Sequence, residues 1–187
     1  EAPEGMTVSA MGLIQWTPEN NVFSADVTVQ VADGGESGAL PATQSWTIAV
    51  TAVNDAPEIT STALTTATED EAYSYTVTAT DVDIDTVLTF SLTTAPEGMV
   101  IDSATGQITW TPLNSVETAD VVVEVSDNEA TDTQSFTITV TPVNDAPTIT
   151  STANTAATED EAYSYTVTAT DVDGDDLTFS LTTKPSG

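Results

Sequence analysis

The sequence contains no cysteine and no histidine, and Lys184 is its single basic residue. Without cysteine no disulfide can hold the fold together, and without either residue the usual nitrogen and sulfur ligands of zinc, copper and iron–sulfur centres are missing. The 30 Asp and Glu residues give a formal net charge of −29. Because a phosphate backbone or an anionic lipid surface is bound through a basic footprint, these absences exclude nucleic acid and charged membranes as partners.

Long apolar runs are absent as well, since no stretch of the sequence approaches the roughly 20 residues that cross a bilayer. The N-terminus also lacks the basic and then apolar layout of a secretion signal. Because its first residues already fall inside a repeat, we expect the chain to be an internal fragment of a longer array. The missing signal then carries no information on export.

The chain is built from a long internal repeat. The stretch from Val53 to Asp85 returns almost letter for letter from Val143 to Asp175, at a period of 90 residues. The residues before it match the second half of the same repeat, since APEGM at Ala2–Met6 recurs at Ala95–Met99. We therefore predict a C-terminal half repeat at 1–52, a complete repeat at 53–142 and an N-terminal half repeat at 143–187.

Within the complete repeat, apolar residues alternate with threonine and serine, which is typical of strands with one buried face. Threonine favours half-buried strands and accounts for 38 of the 187 residues. The alternation predicts strands near residues 59–64, 73–79, 88–92, 99–101, 108–110, 121–125 and 136–140. About seven strands per repeat, with turn signals between them, predict an all-β fold of tandem Greek-key β-sandwiches.

The large aromatic residues fall on the inward face of the predicted strands, which favours a role in the core over a sugar-binding platform. They are Trp16, Trp46, Trp110, Tyr73 and Tyr75. Phe23 is the one aromatic residue in a predicted loop.

Acidic and amide residues are concentrated where the predicted strands end. In a Greek-key sandwich the loop between the second and third strands and the loop between the sixth and seventh strands lie at one end, together with the segment that enters the first strand. That end collects Asn54, Asp55, Asp81, Asp83, Asp85 and Asp127. If repeats stack end to end, the turn at residues 69–71 at the opposite end meets the next linker and loop, which carry Asn144, Asp145, Asp171 and Asp173.

Such a convergence of carboxylates indicates a cation, because carboxylates packed together without one repel each other and take up protons. Calcium accepts six to eight oxygen ligands in tolerant geometry, and flexible oxygen donors favour it over magnesium. The sequence therefore predicts Ca²⁺ as the cofactor. The alternative interpretation is that Asp and Asn act only as turn formers that bond their own backbone.

Two motifs resemble those of cadherin repeats, in which a DxD loop, a linker of the DxNDNxP type and an early glutamate clamp calcium between consecutive domains. They are TATDVDGDDLTFSL at Thr168–Leu181 and VNDAPTI at Val143–Ile149. The combination of EDEAYSYTVTATDVDGD with IDSATGQITWTP is more closely similar to the dystroglycan-type cadherin-like and bacterial Ig-like repeats of large surface adhesins.

The resemblance implies two calcium junctions. The first would use Asn54, Asp55, Asp81, Asp83 and Asp127, and the second Glu69, Asn144, Asp145, Asp171 and Asp173, with Glu71 as a further candidate ligand. The chain departs from the cadherin pattern at Ala56 and Ala146, which replace an asparagine, and at residues 113–116, where LNSV stands in place of LDRE. We therefore expect one or two calcium ions per junction rather than three.

The chain is predicted not to be an enzyme, since it offers no histidine or cysteine as base or nucleophile and no GxSxG or phosphate-binding glycine loop. We expect calcium-stiffened extender repeats of a large secreted or cell-surface adhesive protein. Its partners would be neighbouring repeats, other copies of the chain, and surface glycans or proteins. Two alternatives remain, a carbohydrate-binding module of an extracellular polysaccharide-degrading enzyme and a self-associating subunit of an extracellular filament.

Overall fold

The computed structural model describes residues 2–33, 40–114 and 116–184, whose regular secondary structure is made of strands. In this part of the chain no helix is long and apolar enough to cross a bilayer. The strands are β1 (Thr7–Val8), β2 (Ile14–Gln15), β3 (Ser24–Val31), β4 (Ala42–Ala49), β5 (Glu58–Ile59), β6 (Thr66–Thr68), β7 (Tyr73–Thr76), β8 (Ala79–Thr80), β9 (Thr89–Thr94), β10 (Val100–Ile101), β11 (Gln107–Trp110), β12 (Thr118–Ser126), β13 (Thr131–Thr141), β14 (Thr148–Ile149) and β15 (Ala169–Thr170).

Backbone packing divides the chain into two compact units. Unit 1 holds Glu1–Thr60, Thr78–Thr89 and Glu124–Thr133, and unit 2 holds Ser61–Val77, Phe90–Val123 and Gln134–Gly187. The repeat boundaries at 52/53 and 142/143 stay predictions, and the outermost residues of the two predicted half repeats lie outside the described part of the chain.

The complete repeat forms two principal sheets, with the strand orders β10-β11-β7 and β6-β13-β12-β9. β7 and β11 run antiparallel, with Tyr73 opposite Trp110 and Tyr75 opposite Ile108. β6 and β13 run parallel, with Thr66 opposite Thr139. The arrangement confirms the predicted all-β sandwich.

The bounds predicted for the first strand of this repeat are wrong. We expected one strand over residues 59–64, whereas β5 ends at Ile59, β6 begins at Thr66 and Leu64 is exposed. β5 pairs antiparallel with β8, and β6 pairs in parallel with β13, so the chain changes its partner strand between them. The second predicted strand is likewise divided, into β7 and β8.

Most of the buried core lies in unit 2. Ile108 and Ile138 are fully enclosed, and the ring of Tyr73 meets that of Trp110 edge-on at a centroid distance of 6.4 Å. The Tyr73 hydroxyl donates to the Leu64 carbonyl oxygen at 2.7 Å, and burial raises the pKa of Tyr73 to about 12. The predicted inward aromatics of this repeat therefore contribute to packing.

The aromatics of the first half repeat are less enclosed. Trp16 and Trp46 are half-buried, whereas Phe23 in its loop is exposed. The indole N–H of Trp16 donates to the Glu4 carbonyl oxygen at 3.1 Å, as that of Trp110 does to Glu97 at 3.2 Å. The two tryptophans thus occupy equivalent positions in their repeats but differ in burial.

A tight turn between β10 and β11 brings the backbone of Gly106 against that of Val77, the residue that follows β7. Asp102 Oδ1 accepts the N–H groups of Ala104 and Thr105 at 3.0 and 2.8 Å, and Gly106 follows with a left-handed φ of +70°. The Val77 N–H donates to the Gly106 carbonyl oxygen at 2.9 Å. A Cβ on Gly106 would fall on the carbonyl oxygen of Val77, so this approach requires glycine.

We expect Gly106→Ala to destabilise the complete repeat more than Gly98→Ala does. Gly98 has a similar φ of +79° but open space within 4 Å of its missing Cβ. Its substitution therefore costs only the left-handed conformation, about 1–2 kcal/mol, whereas Gly106→Ala adds about 1–3 kcal/mol of overpacking. Denaturant unfolding of both variants measures the difference, and equal losses would contradict the close backbone approach.

Candidate metal centre

The first cluster of carboxylate and amide groups lies within unit 1 and combines three loops. Asn54 and Asp55 precede β5, Asp81 and Asp83 follow β8, and Asp127 follows β12. Some of these contacting residues are 73 positions apart in the sequence. The pairing of β5 with β8 is what places the first two loops side by side.

Backbone and amide N–H groups orient the carboxylates of this cluster. The Asp55 N–H donates to Asp83 Oδ2 at 2.8 Å, and the Asp83 N–H donates to Asp81 Oδ1 at 2.8 Å. Asn54 Nδ2 donates both to Asp127 Oδ2 at 2.8 Å and to the Asp55 carbonyl oxygen at 2.9 Å. The five residues predicted for the first junction are therefore linked in one network.

The second carboxylate oxygen of Asp81 has no such partner. Asp81 Oδ2 is buried and accepts no hydrogen bond in the described part of the chain. Leaving a charged oxygen buried and unsatisfied is costly, because its hydration is lost without replacement. The sequence of unit 1 contains no lysine or arginine to compensate it.

Asp127 organises the loop between β12 and β13. Its Oδ1 accepts the N–H groups of Glu129 and Ala130 at 2.7 and 2.6 Å. The Ala130 N–H and, next, the Asn54 amide hold the pKa of Asp127 below its usual range, because they bond to the ionised form. Asp127 therefore stays ionised further into the acid range than a free aspartate.

The second cluster lies within unit 2 and repeats the arrangement of the first. The Asp145 N–H donates to Asp173 Oδ2 at 2.6 Å, and the Asp173 N–H donates to Asp171 Oδ1 at 3.0 Å. Asn144 Nδ2 donates to the Asp145 carbonyl oxygen at 2.9 Å. Carboxylate oxygens of Asp171, Asp173 and Asp175 lie within 4.8 Å of one another. Such a spacing offers several oxygen ligands to one ion.

Glu69 is placed against the linker of the second cluster. Its side chain is only 3% exposed, and Oε2 accepts the Val143 N–H at 2.9 Å, beside Asn144 and Asp145. Glu71 is exposed, and the contacts described for the second cluster do not include its side chain. The structure thus brings Glu69 to the linker and leaves Glu71 in solvent.

Two asparagines that the sequence analysis did not predict as site residues contact the clusters, one asparagine at each cluster. Asn20 Nδ2 donates to Asp55 Oδ2 at 2.9 Å, and Asn114 Nδ2 donates to Asp145 Oδ2 at 2.6 Å. The signal was present as TPEN at 17–20 and TPLN at 111–114. From the sequence alone, the LNSV motif indicates only the loss of two acids, and Ser115 of that motif lies outside the described residues.

Asn21 adds a second bridge in the first cluster. Its Nδ2 donates to the Val82 carbonyl oxygen at 2.7 Å, and its Oδ1 accepts the Ile84 N–H at 2.9 Å. Asn20 thus ties the first half repeat to the linker before β5, and Asn21 ties it to the loop after β8.

Comparison with known proteins agrees with this fold. The sequence profile of the family described as "Putative Ig domain" matches residues 56–141. The comparison with curated proteins gave no match. Residues of the chain superpose on human protocadherin-24 EC1-2 with a TM-score of 0.50 at 16% identity, covering 77% of this chain and 80% of that one. Together these likenesses show an immunoglobulin/cadherin-like fold.

Other solved structures match over smaller shares of their own length. Extracellular cadherin domains 1–4 of protocadherin gamma B7 give a TM-score of 0.49 at 16% identity, covering 81% of this chain and 42% of that one. An endo-fucoidan hydrolase of glycoside hydrolase family 107 gives 0.43 at 21% identity, covering 76% of this chain and 23% of that one. The chain therefore spans less than a quarter of the hydrolase that it matches.

We expect Asn54→Ala to raise the pKa of Asp127 towards the ordinary aspartate value in metal-free protein. The substitution removes the amide that bonds to the ionised Asp127, while the larger contribution of the Ala130 N–H persists, so the recovery is partial. The side-chain carboxyl signal of Asp127, followed by NMR against pH, measures the change. Asn144→Ala is the matched control, because it alters the second cluster, and an equal shift in that variant would contradict the assignment.

Proposed function

We propose that the chain is a segment of calcium-binding extender repeats in a large extracellular or cell-surface protein, in which Ca²⁺ at each cluster stiffens the link between consecutive repeats. The observation that carries this proposal is the buried, unpartnered Asp81 Oδ2 within a network of carboxylates that has no basic residue beside it. The network repeats at the second cluster, so the feature belongs to the repeat and not to one loop.

The donor set of both clusters fits a hard cation. Every candidate ligand is a carboxylate, an amide oxygen or a backbone carbonyl, which is the ligand chemistry that calcium prefers. Two like charges 4 Å apart repel by about 1 kcal/mol in water and by about 4 kcal/mol in the effective dielectric of a protein surface. Bound calcium would supply the positive charge that offsets this repulsion.

The residues of the chain would prepare each site before any ion arrives. The N–H groups of Asp55 and Asp83 fix one oxygen each of Asp83 and Asp81, which leaves the other oxygens free as ligands. The amide of Asn20 holds the linker aspartate Asp55 from the side of the preceding half repeat. Ligand groups that are already oriented lose less entropy on binding.

Stiffening would follow from the position of the linkers. Val53–Asp55 and Val143–Asp145 connect consecutive repeats, and in each linker the aspartate bonds both to a loop of the following repeat and to an asparagine of the preceding one. A cation shared by these groups would restrict rotation of the linker. Adhesion is proposed as the purpose of such a spacer, with the binding function carried by other domains.

We expect calcium to raise the melting temperature and to lengthen the particle measured by X-ray scattering. If the affinity is in the range of extracellular calcium modules, about 10⁻⁴–10⁻³ M, a concentration 100 times the dissociation constant stabilises each site by about 2.7 kcal/mol. Asp173→Asn should weaken binding at the second cluster at least about tenfold, or about 1.4 kcal/mol.

Asp176→Asn is the matched control for that variant. It removes the same charge from the same loop, but Asp176 is not one of the clustered carboxylates. Calorimetric titration of both variants separates a defined site from general screening of negative charge. Equal behaviour of the two, or a melting temperature and length that EGTA leaves unchanged, would refute the metal proposal.

Asn114→Asp should make the second cluster more dependent on calcium. The substitution replaces the amide donor to Asp145 Oδ2 by a second carboxylate at the same place, so the metal-free protein gains a repulsion and the loaded protein gains a ligand. We expect a lower melting temperature in EDTA and a larger rise on adding calcium than in the parent chain. Asn114→Ala removes the hydrogen bond without adding charge, and a similar rise in that variant would contradict the prediction.

A further inference from the structure

The two loops that carry the paired aspartates differ in the residue that follows the second aspartate. The loop after β8 reads DVDI at residues 81–84, and the loop after β15 reads DVDG at residues 171–174. An aspartate that precedes glycine is susceptible to attack by the next backbone nitrogen, because glycine has no Cβ to shield that nitrogen. The other Asp-Gly pair in the sequence is at residues 33 and 34, and Gly34 lies outside the described residues.

The contacts that the two aspartates share do not distinguish them. The linker N–H of Asp55 donates to Asp83 Oδ2 at 2.8 Å. The linker N–H of Asp145 donates in the same way to Asp173 Oδ2 at 2.6 Å. The N–H groups of Asp83 and Asp173 each donate to Oδ1 of the first aspartate of their own loop, at 2.8 and 3.0 Å. A difference in reactivity between the two positions therefore comes from the residue that follows each aspartate.

The backbone nitrogen that follows Asp83 is held by a hydrogen bond. The Ile84 N–H donates to Asn21 Oδ1 at 2.9 Å, and Asn21 Nδ2 donates to the Val82 carbonyl oxygen at 2.7 Å. One amide side chain thus fixes the backbone on both sides of Asp83. The branched side chain of Ile84 is stiff and adds bulk beside the same nitrogen. The nitrogen of Ile84 must leave its bond to Asn21 before it can attack the Asp83 carboxyl group.

The backbone nitrogen that follows Asp173 belongs to a glycine in open surroundings. Gly174 has a left-handed φ of +80°. Of the described residues, apart from its two chain neighbours, none has an atom within 4 Å of the place that a Cβ on Gly174 would take. The sequence also carries Ser115 at the position equivalent to Asn21, and a hydroxyl offers one polar atom where the amide offers two. The second loop therefore lacks both the side chain and the amide that protect the first.

We propose that the Asp173-Gly174 bond is a site of spontaneous backbone modification, at which the aspartate becomes isoaspartate. The Gly174 nitrogen bonds to Cγ of Asp173, and the carboxyl hydroxyl leaves as water together with the proton of that nitrogen. The product is a cyclic imide. Water then adds to the original main-chain carbonyl carbon and breaks its bond to nitrogen, so that the main chain runs through the former side chain. One water leaves and one is added, and no other reactant is needed.

The modification disrupts the second cluster. Isoaspartate lengthens the main chain by one methylene group and leaves its carboxylate directly on Cα. The Asp145 N–H then loses the oxygen to which it donates, and the spacing of the Asp171, Asp173 and Asp175 carboxylates, now within 4.8 Å of one another, is altered. The loss of a calcium ligand by this route rests on the proposed function, whereas the rearrangement itself needs no metal.

Incubation of the full chain in EDTA over several weeks tests the proposal, because failure of the calcium proposal has no influence there. A protease that cleaves after glutamate releases residues 72–97 and 162–187 as separate peptides, each with one of the two aspartates. Isoaspartate keeps the mass of the peptide, so it is resolved by chromatography and located by electron-transfer fragmentation. We expect it to form at residue 173 at least about tenfold faster than at residue 83. Equal rates at the two positions would overturn the proposal.

Substitutions in the two loops test the cause. Gly174→Ala should slow the reaction at Asp173 at least about tenfold. Gly98→Ala is its matched control, since Gly98 also has a left-handed φ, +79°, and open space, but lies in another loop. Equal slowing in both variants would overturn the proposal. Because alanine is strained at residue 174, the double variant Ile84→Gly with Asn21→Ala provides the converse test. It should raise the rate at Asp83 at least about tenfold, and a rate unchanged from that of the parent chain would contradict the proposal.

Hydrogen exchange measures the effect of the modification on the cluster. In chains that carry isoaspartate at residue 173, the Asp145 N–H should exchange faster than in fresh protein, because its acceptor is displaced. The Asp55 N–H of the same molecules is the internal control, since its acceptor Asp83 is unmodified. Unchanged exchange at Asp145, or an equal increase at Asp55, would overturn the proposed effect on the second cluster.

Discussion

The rest of this structure depends on one constraint, the repulsion among its carboxylates. Almost no basic residues are present to pair with them. Thirty acidic residues face one lysine, so the fold must satisfy its carboxylates with backbone N–H groups, side-chain amides and hydroxyls. Asp102 and Asp127 do so within their own loops, and Asp83 accepts the Asp55 N–H from the linker. The loops are consequently shaped by the hydrogen bonds that their carboxylates accept.

The same constraint separates two kinds of acidic residue. Asp102 closes a turn with two backbone donors, and its pKa is held low by the Thr105 N–H first of all. Asp81 uses one oxygen for its turn and keeps the other buried without a partner. Both residues look alike in the sequence, but of the two only Asp81 has a buried oxygen without a hydrogen-bond partner. This difference is what distinguishes a turn former from a candidate ligand.

Much of the fold was predictable from the sequence because burial has a period of two in a strand. Tyr73, Tyr75 and Val77 alternate with threonine and serine, and all three are buried. The break between β5 and β6 was not predictable in this way, because it depends on which strand lies beside each segment and not on which face is apolar. Asn20 and Asn114 were not predicted for a related reason. The sequence does not show that an asparagine amide donates a hydrogen bond to a carboxylate, because the partner, such as Asp145, is distant in the sequence.

The parallel pairing of β6 with β13 has a mechanical consequence. These strands lie near the beginning and the end of the complete repeat, and their hydrogen bonds join Thr66, Ala67 and Thr68 to residues 139–141. A tension applied along the chain pulls the two strands in opposite directions, so the bonds are sheared together instead of being opened one after another. Resistance of this repeat to stretching is therefore concentrated in a three-residue patch, and with no cysteine present a repeat that yields can refold without any covalent step.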